Sequence, residues 1–311
     1  MSILNRIVMA SDFSHLSKTA AAFALELAPP GTLDAYLVTV DETKKSAEGE
    51  LKSKLDGVAT ELREHWAHVT DAARSSTGTL RITQEVRYAR RPSEAILSSA
   101  ADANADLITT GTRGHRGVRR AFLGSVASEL IREAPCPVLT VREAEGIKPK
   151  AAKRIAVPVD FSDPSKAAVR YAASLADQVG ATLTLIYVME KEGENAGYGF
   201  KPSVFGTVAG YKRARNDLRE LAEELPVEAS VKVLDGDPAD ALLSYADAKD
   251  INLIVMSTRG YSGVKRLLEG SVAEDIITRA ACPVLVARNF ASQVDAVPAA
   301  GTEETAQAEG R

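Results

Sequence analysis

Cysteine is nearly absent from this 311-residue chain, which has only Cys136 and Cys282. Each leads into a Pro-Val-Leu run, so both read as small apolar residues at strand entrances. Two thiols fall short of a zinc site, and a disulfide is not expected in a reducing compartment. Long apolar runs are missing as well. None approaches the ~20 residues that span a bilayer, and Met1 to Arg6 runs straight into a strand pattern without the parts of a signal peptide. The expectation is a cytoplasmic protein with no membrane partner. Positive charge is not in excess: 38 Lys+Arg face 42 Asp+Glu, a net charge of −4, which argues against general nucleic-acid binding. Two familiar phosphate motifs are also lacking. There is no G-x-x-x-x-G-K-[ST] and, after the first strand, no G-x-G-x-x-G.

Histidine is scarce too, at four residues. His65 and His68 are three apart on a helical pattern, which permits metal contact but leaves the site without a third ligand. His15 falls in a first helical turn and is expected to face water. His115 lies in a loop. No convincing base for phosphoryl transfer is present, so the expectation is no enzyme activity.

What the chain has is a repeat of itself. R-I-V-M-A-S-D-F-S from Arg6 returns as R-I-A-V-P-V-D-F-S from Arg154. Asp12 matches Asp160 and Val40 matches Val188, an offset of 148. Pro92 matches Pro238, Gly124 matches Gly270 and Cys136 matches Cys282, an offset of 146. A repeat of that length means two copies of one fold. With 45% hydrophobic and 26% charged residues the composition is globular. The expected division is a first domain over 1–146, a charged Gly/Pro-containing linker over 147–153, a second domain over 154–290, and a polar, disordered tail over 291–311.

Within the first copy, apolar runs and helical spacings alternate. Strands are expected at Ile7–Ala10, Ala35–Val40, Leu80–Val86, Asp106–Thr110 and Pro137–Val141. Between them lie a helix capped by Ser14, a long helix from Ala47 to Arg74 carrying Leu51, Leu55, Val58, Leu62 and Trp66, a helix opened by Pro92, and one after Gly124. This order predicts an α/β fold with a doubly wound parallel sheet in each copy.

The stretch Gly111 to Ser125, G-T-R-G-H-R-G-V-R-R-A-F-L-G-S, links a buried strand to a helix start. Free N–H groups at a helix start attract anions. Gly124 and Ser125 sit where those groups point, and Arg113, Arg119 and Arg120 add positive charge, so one reading is a phosphate cradle. The other is a tight turn with an N-cap and surface arginines. In doubly wound sheets ligands lie beyond the carboxyl ends of the strands, where strand order reverses. Asp12 and Val40 end the first two strands. A carboxylate there can accept from ribose hydroxyls, and the main chain at Val40 can read a base. Asp12 is open to a second role, an Asx turn or helix cap.

The second copy keeps the plan with changes. A Gly-rich segment, Gly193 to Gly210, replaces part of a connection and is either a flap or a longer solvent loop. The glycine stretch becomes S-T-R-G-Y-S-G-V-K-R-L-L-E-G-S, with Ser257 for the first glycine and Glu269 beside Gly270. Serine tolerates positive φ poorly, and a carboxylate beside phosphate is unfavourable. Weaker nucleotide binding is expected there.

These motifs resemble the universal stress protein family, and the chain resembles a tandem two-domain member. The family's signature G-x2-G-x9-G-[S/T] is met by Gly111, Gly114, Gly124 and Ser125. Ser257, Gly260, Gly270 and Ser271 meet it except at the first position. The resemblance implies two Rossmann-like domains of the adenine nucleotide alpha hydrolase type, each a five-stranded parallel sheet of order 3-2-1-4-5. It implies an ATP site: adenosine near Ala10, Ser11, Asp12 and Val40, phosphates on Gly111, Gly114, Gly124, Ser125 and Val126. Asp160, Val188, Ser257, Gly260, Gly270 and Ser271 are the weaker second set. Any Mg2+ accompanies the phosphates and has no dedicated protein ligands. Pairing through last strands implies an intramolecular pseudo-dimer, with homodimers and an unidentified protein partner as further expectations. The function expected is an ATP-binding stress-response protein in which nucleotide is a conformational ligand. A nucleotide-independent interaction scaffold is the alternative and a slow ATPase the third reading.

Overall fold

The computed structural model describes residues 3–29, 31–44, 46–72, 78–112, 123–142, 152–190, 208–258 and 272–287. The first half runs β1 (Arg6–Ala10), α1 (His15–Leu27), β2 (Thr32–Asp41), α2 (Glu48–Ala72), β3 (Thr79–Tyr88), α3 (Pro92–Asp102), β4 (Leu107–Gly111), α4 (Ser125–Glu133) and β5 (Val138–Val141). The second half repeats the order with β6 (Arg154–Pro158), α5 (Asp163–Val179), β7 (Thr182–Met189), α6 (Val208–Glu223), β8 (Ala229–Asp235), α7 (Pro238–Ala248), β9 (Leu253–Ser257), α8 (Val272–Arg279) and β10 (Val284–Ala287).

All described strands join one sheet of order β3-β2-β1-β4-β5-β10-β9-β6-β7-β8. Pairing within each half is parallel. Central strands are apolar on both faces because helices cover both: Ile7, Val8 and Met9 are wholly buried. One helical layer holds α1, α2, α5 and α6, whose apolar residues share a core with Ile7, Leu107 and Leu285. The other holds α3, α4, α7 and α8, around Val8, Ile108 and Ile254. The stripe Leu51, Leu55, Val58, Leu62 and Trp66 is the buried face of α2. β2 begins three residues before Ala35, because Leu33 is buried and the register with β3 already runs from Thr32↔Thr79.

The halves meet where β5 and β10 pair antiparallel, with Leu139 opposite Leu285. Thr140 Oγ1 donates to Val284 O (3.1 Å) and Arg142 Nη1 to Thr278 O (3.0 Å). Gln178 of α5 clasps the first half, donating to Leu27 O (2.8 Å) and accepting from Ile3 N (3.1 Å). Tyr171 is fully buried close to the first half. Burial, and then Cys136 and Asp106, raise its phenol well above the ordinary value.

The segment Gly193 to Gly210 is not all loop. Val208, Ala209 and Gly210 open α6, with Gly210 buried. The rest of that segment lies outside the described residues, as do the expected linker apart from 152 and 153 and the tail.

Candidate functional site

β1 and β4 are neighbours, but the chain leaves them toward opposite layers. β1 leads to α1 on one face and β4 leads toward α4 on the other. This divergence opens a crevice beyond their carboxyl ends. Ala10 ends β1, and Ser11 N donates to Val38 O (2.8 Å), the last link to β2. Ser11 Oγ accepts from Phe13 N (3.2 Å), and Asp12 Oδ1 accepts from Ser14 N (3.0 Å). Ser14 caps α1, its Oγ accepting from Ser17 N at 3.2 Å. Asp12 therefore does form the Asx turn that sequence offered as its second role.

Phe13 sits at φ 65°. A bulky residue in the left-handed region carries strain on the order of 1–3 kcal/mol and persists only where its surroundings over-determine it. Here the hydrogen bonds within Ser11–Ser17 hold it. Sequence reasoning missed this position, since phenylalanine carries no left-handed preference. The second copy repeats the turn closely. Phe161 has φ 63°, Val159 N donates to Ile186 O at 2.8 Å, and Asp160 Oδ1 accepts from Ser162 N at 3.0 Å.

Successive residues of a strand direct their main-chain polar groups to alternate sides. Val38 uses its carbonyl toward β1. Thr39 and Asp41 therefore face β3, and Val40 again faces the β1 side. By then β1 has ended and Phe13 N has gone to Ser11 Oγ. The N–H and C=O of Val40 are thus presented to the crevice. Val188 stands the same way, two residues after Ile186 on β7, while Met189 O accepts Gly236 N on the far side.

Asp41, next to Val40, is a clamp that sequence reasoning did not single out. Its carboxylate accepts from Thr43 N (2.9 Å), Thr43 Oγ1 (3.0 Å), Lys44 N (3.2 Å) and Ser46 N (3.0 Å). The main-chain bonds from Thr43 and Ser46 pull its pKa down to about 2. The signal available in sequence was an Asp followed by Thr and Ser at turn spacing.

On the other wall, Gly111 pairs with Val141 and Thr112 N donates to Val141 O (2.9 Å). Gly124 N donates to Thr112 O (2.9 Å), tying the two ends of the glycine stretch together. This corrects one expectation: the Gly124 N–H closes the loop and does not point at a ligand. Gly124 is the N-cap of α4, and the first intrahelical bond runs from Ser128 N to Gly124 O (2.9 Å). The N–H groups that helix geometry leaves unpaired are those of Ser125, Val126 and Ala127. No acidic residue lies in the first turn of α4. Thr112 is 2% exposed, and its Oγ1 has no hydrogen-bond partner among the described residues. Gly114, the arginines at 113, 119 and 120, and His115 lie outside the described residues.

A second correction concerns Ser257. Among the described residues neither Gly111 nor Ser257 has positive φ; they close β4 and β9 as extended residues. Backbone strain therefore does not distinguish the copies. Gly260, Gly270 and Ser271 lie outside the described residues.

The remaining candidates are committed elsewhere. His65 Nε2 meets Glu26 Oε1 at 3.0 Å between α1 and α2, and His15 Nε2 lies 3.4 Å from Thr19 Oγ1. Among the described residues no three His, Cys, Asp or Glu side chains form a metal-binding group. Burial, and then Asp106, pushes the Cys136 thiol up to about 12; burial, and then Asp247, does the same to Cys282. Unreactive thiols fit the packing role read from sequence. Among the described residues no helix is long and apolar enough to cross a membrane.

The profile of the Universal stress protein family matches residues 4–142 and again 151–288. The chain belongs to the universal stress protein family. A universal stress protein of Methanocaldococcus jannaschii is 34% identical over 139 residues, which is 44% of this chain and 82% of that one. One from Mycobacterium tuberculosis is 26% identical over 238 residues, 75% of this chain and 79% of that one. The crystal structure of a universal stress protein from Archaeoglobus fulgidus superposes with a TM-score of 0.63 over 92% of this chain and 99% of that one. At 21% identity, that likeness is one of fold. Two family matches and one ten-stranded sheet make the chain a tandem pair of Rossmann-like domains.

Proposed function

We propose that the first half of this universal stress protein binds ATP in the crevice between β1 and β4, and that the nucleotide acts as a conformational ligand in a stress response in the cytoplasm. The observation that carries the reading is the pairing of two sets of free main-chain groups across one crevice. On one wall, the N–H and C=O of Val40 form a donor–acceptor pair that complements the edge of adenine, an acceptor ring nitrogen beside an amino donor. On the other, the N–H groups of Ser125, Val126 and Ala127 offer the open end of a helix to an anion. The residues present therefore fit the nucleotide. Asp12, at the end of β1, is the residue read as meeting the ribose hydroxyls, since a carboxylate accepts from more than one donor. Any Mg2+ would be carried by the phosphate oxygens.

Bound nucleotide is read as a ligand and not a substrate because His15 is engaged within α1, His65 is engaged with Glu26 across α1 and α2, and no histidine among the described residues is placed at the crevice. The test is native mass spectrometry and calorimetry on the full chain. One ATP per chain with negligible turnover is the expected outcome; no ATP binding, or turnover of about one per second as in ordinary enzymes, would overturn it.

A nucleotide-independent scaffold is the second reading. What favours it is that Gly124 N and Asp12 Oδ1 both have structural partners, so both residues have reasons to be present without a ligand.

A further inference from the structure

β2 loses one of its two neighbours before it reaches the crevice. Ser11 N to Val38 O (2.8 Å) is its last link to the β1 side. Pairing with β3 goes on through Thr39↔Val86, Val40↔Arg87 and Asp41↔Tyr88. β3 is itself the outer strand of the sheet. The stretch that carries Val40 is therefore held by an edge strand alone, and chain ends with few neighbours open locally. A main-chain pair that reads a base needs this end to be still.

Asp41 supplies the missing hold. The residue is 8% exposed. Its Oδ1 accepts from Thr43 N, Thr43 Oγ1 and Lys44 N, and its Oδ2 from Ser46 N. These bonds draw Thr43, Lys44 and Ser46 back onto the end of β2. Lys44 stands at φ 53°, a backbone state that a non-glycine residue keeps only where its surroundings over-determine it. The main-chain donors favour the ionised carboxylate and lower its pKa, so the clamp is closed at neutral pH. α2 begins just beyond, at Glu48, and its Leu51 and Leu55 are buried. The clamp thus fastens the strand end to a helix already packed on the sheet. The second half does not repeat it: 148 residues on from Asp41 stands Met189, buried and without a carboxylate.

We propose that Asp41 is a positioning residue for base recognition: by drawing the following turn onto the end of β2 it keeps the N–H and C=O of Val40 in strand geometry, and so sets the preference for adenine over guanine. The proposal rests on the reading of the first half as an adenine-nucleotide site. Asp41 acts through Val40 and does not itself touch the nucleotide. Without the clamp the strand end samples other conformations, and the apparent affinity falls with the fraction of chains that remain competent.

The experiment titrates the full chain with ATP and with GTP by calorimetry. Asp41→Ala removes every bond of the clamp and should weaken ATP by about fivefold or more. The ratio of ATP to GTP affinity should fall with it. Asp41→Asn keeps an oxygen for Thr43 and Lys44 but sets an amide N–H against Ser46 N. It should fall between the unmodified chain and Asp41→Ala, and it keeps the test open where the alanine variant does not fold. Leu285→Ala is the control for stability alone. It is buried on the seam opposite Leu139, and it should leave the ATP to GTP ratio as in the unmodified chain. An unchanged ratio in a folded Asp41→Asn chain would overturn the proposal, as would an equal fall in Leu285→Ala. The unmodified chain separates the two ideas. ATP bound there with a ratio indifferent to Asp41 sinks only the positioning role, whereas no ATP bound there sinks the first-half site itself.

Discussion

Val40→Pro isolates the main-chain contact on which base recognition depends. Proline removes a single N–H and fixes φ near −65°. At most strand positions the missing donor leaves a neighbouring carbonyl unpaired, which costs about 1–3 kcal/mol. Val40 is different, because its N–H faces the gap left where β1 ends at Ala10, and no ladder partner loses a bond. The variant should therefore be destabilised by less than about 1.5 kcal/mol, chiefly through lost packing of a half-buried valine and a shifted φ. Thr39→Pro is the internal control. Thr39 is 3% exposed, and its N–H faces β3 within the register Thr39↔Val86, so that variant should lose about 1–3 kcal/mol more from the orphaned β3 carbonyl. For ligand, the lost hydrogen bond is worth about 0.5–1.5 kcal/mol net, a weakening of ATP binding by roughly 2- to 13-fold. The preference for ATP over GTP should narrow with it, since guanine presents a donor where adenine presents an acceptor. Urea denaturation gives the stabilities and calorimetry the affinities. Equal destabilisation by the two prolines would refute the assignment of the Val40 N–H to the crevice. Unchanged ATP affinity in a folded Val40→Pro chain would refute its role in reading the base.

Other perturbations address other walls of the site and the seam. Gly124→Val should abolish ATP binding by placing a branched side chain at the mouth of the α4 amides, while φ −64° keeps the substitution within about 1 kcal/mol of the parent stability, the difference between a good and a poor N-cap; calorimetry and thermal melts check both. Asp41 has its pKa lowered from 3.8 to about 2, so its stabilisation is complete above 3.8 and is lost as pH falls toward 2. Asp41→Asn should accordingly be destabilising near neutral pH and flatten the stability profile over that acid window, measured by denaturation at stepped pH. Leu285→Ala, at a wholly buried position opposite Leu139 on the seam, should cost about 2–5 kcal/mol; a loss under 1 kcal/mol in urea melts would mean the seam is not a packed core.

Much of the scaffold was legible because its signals are local. The stripe on α2, the cap at Ser14 and the proline opening α3 each rest on spacing or on one residue's preference, and each lies where expected. The start of β2 was not legible. Thr32, Leu33 and Asp34 become strand through pairing with Thr79, Leu80 and Arg81, which are distant in sequence. In the site, residue types singled out loops but not which of their atoms are available. Gly124 was picked for its N–H, and that N–H belongs to Thr112 O. Ser257 was marked for a backbone strain that an extended strand end does not impose. Hydrogen-bond partners across a loop are a tertiary property and carry no local signature. Phe13 and Phe161 make the same point, being held in the left-handed region by the hydrogen bonds of their turns and not by their own preference.

Fusing two copies in one chain changes what each copy is free to become. In a symmetric dimer every substitution appears on both sides of the interface, so a contact must suit its own mirror. Here the seam is already asymmetric. Gln178 bridges Leu27 O and Ile3 N, whereas the matching position in the first half, 148 residues earlier, is Pro30, which has no side-chain amide. That clasp can exist once because the halves are distinct residues of one chain. The short connection keeps the halves at high effective concentration, so seam contacts need not be duplicated to hold the pair together. The same freedom extends to the crevices. Glu274 of α8 stands where the first half, 146 residues earlier, has Ser128. A homodimer of identical subunits would have to carry both charge patterns or neither. The tandem chain can therefore let single positions differ between its two crevices, with the ten-stranded sheet common to both.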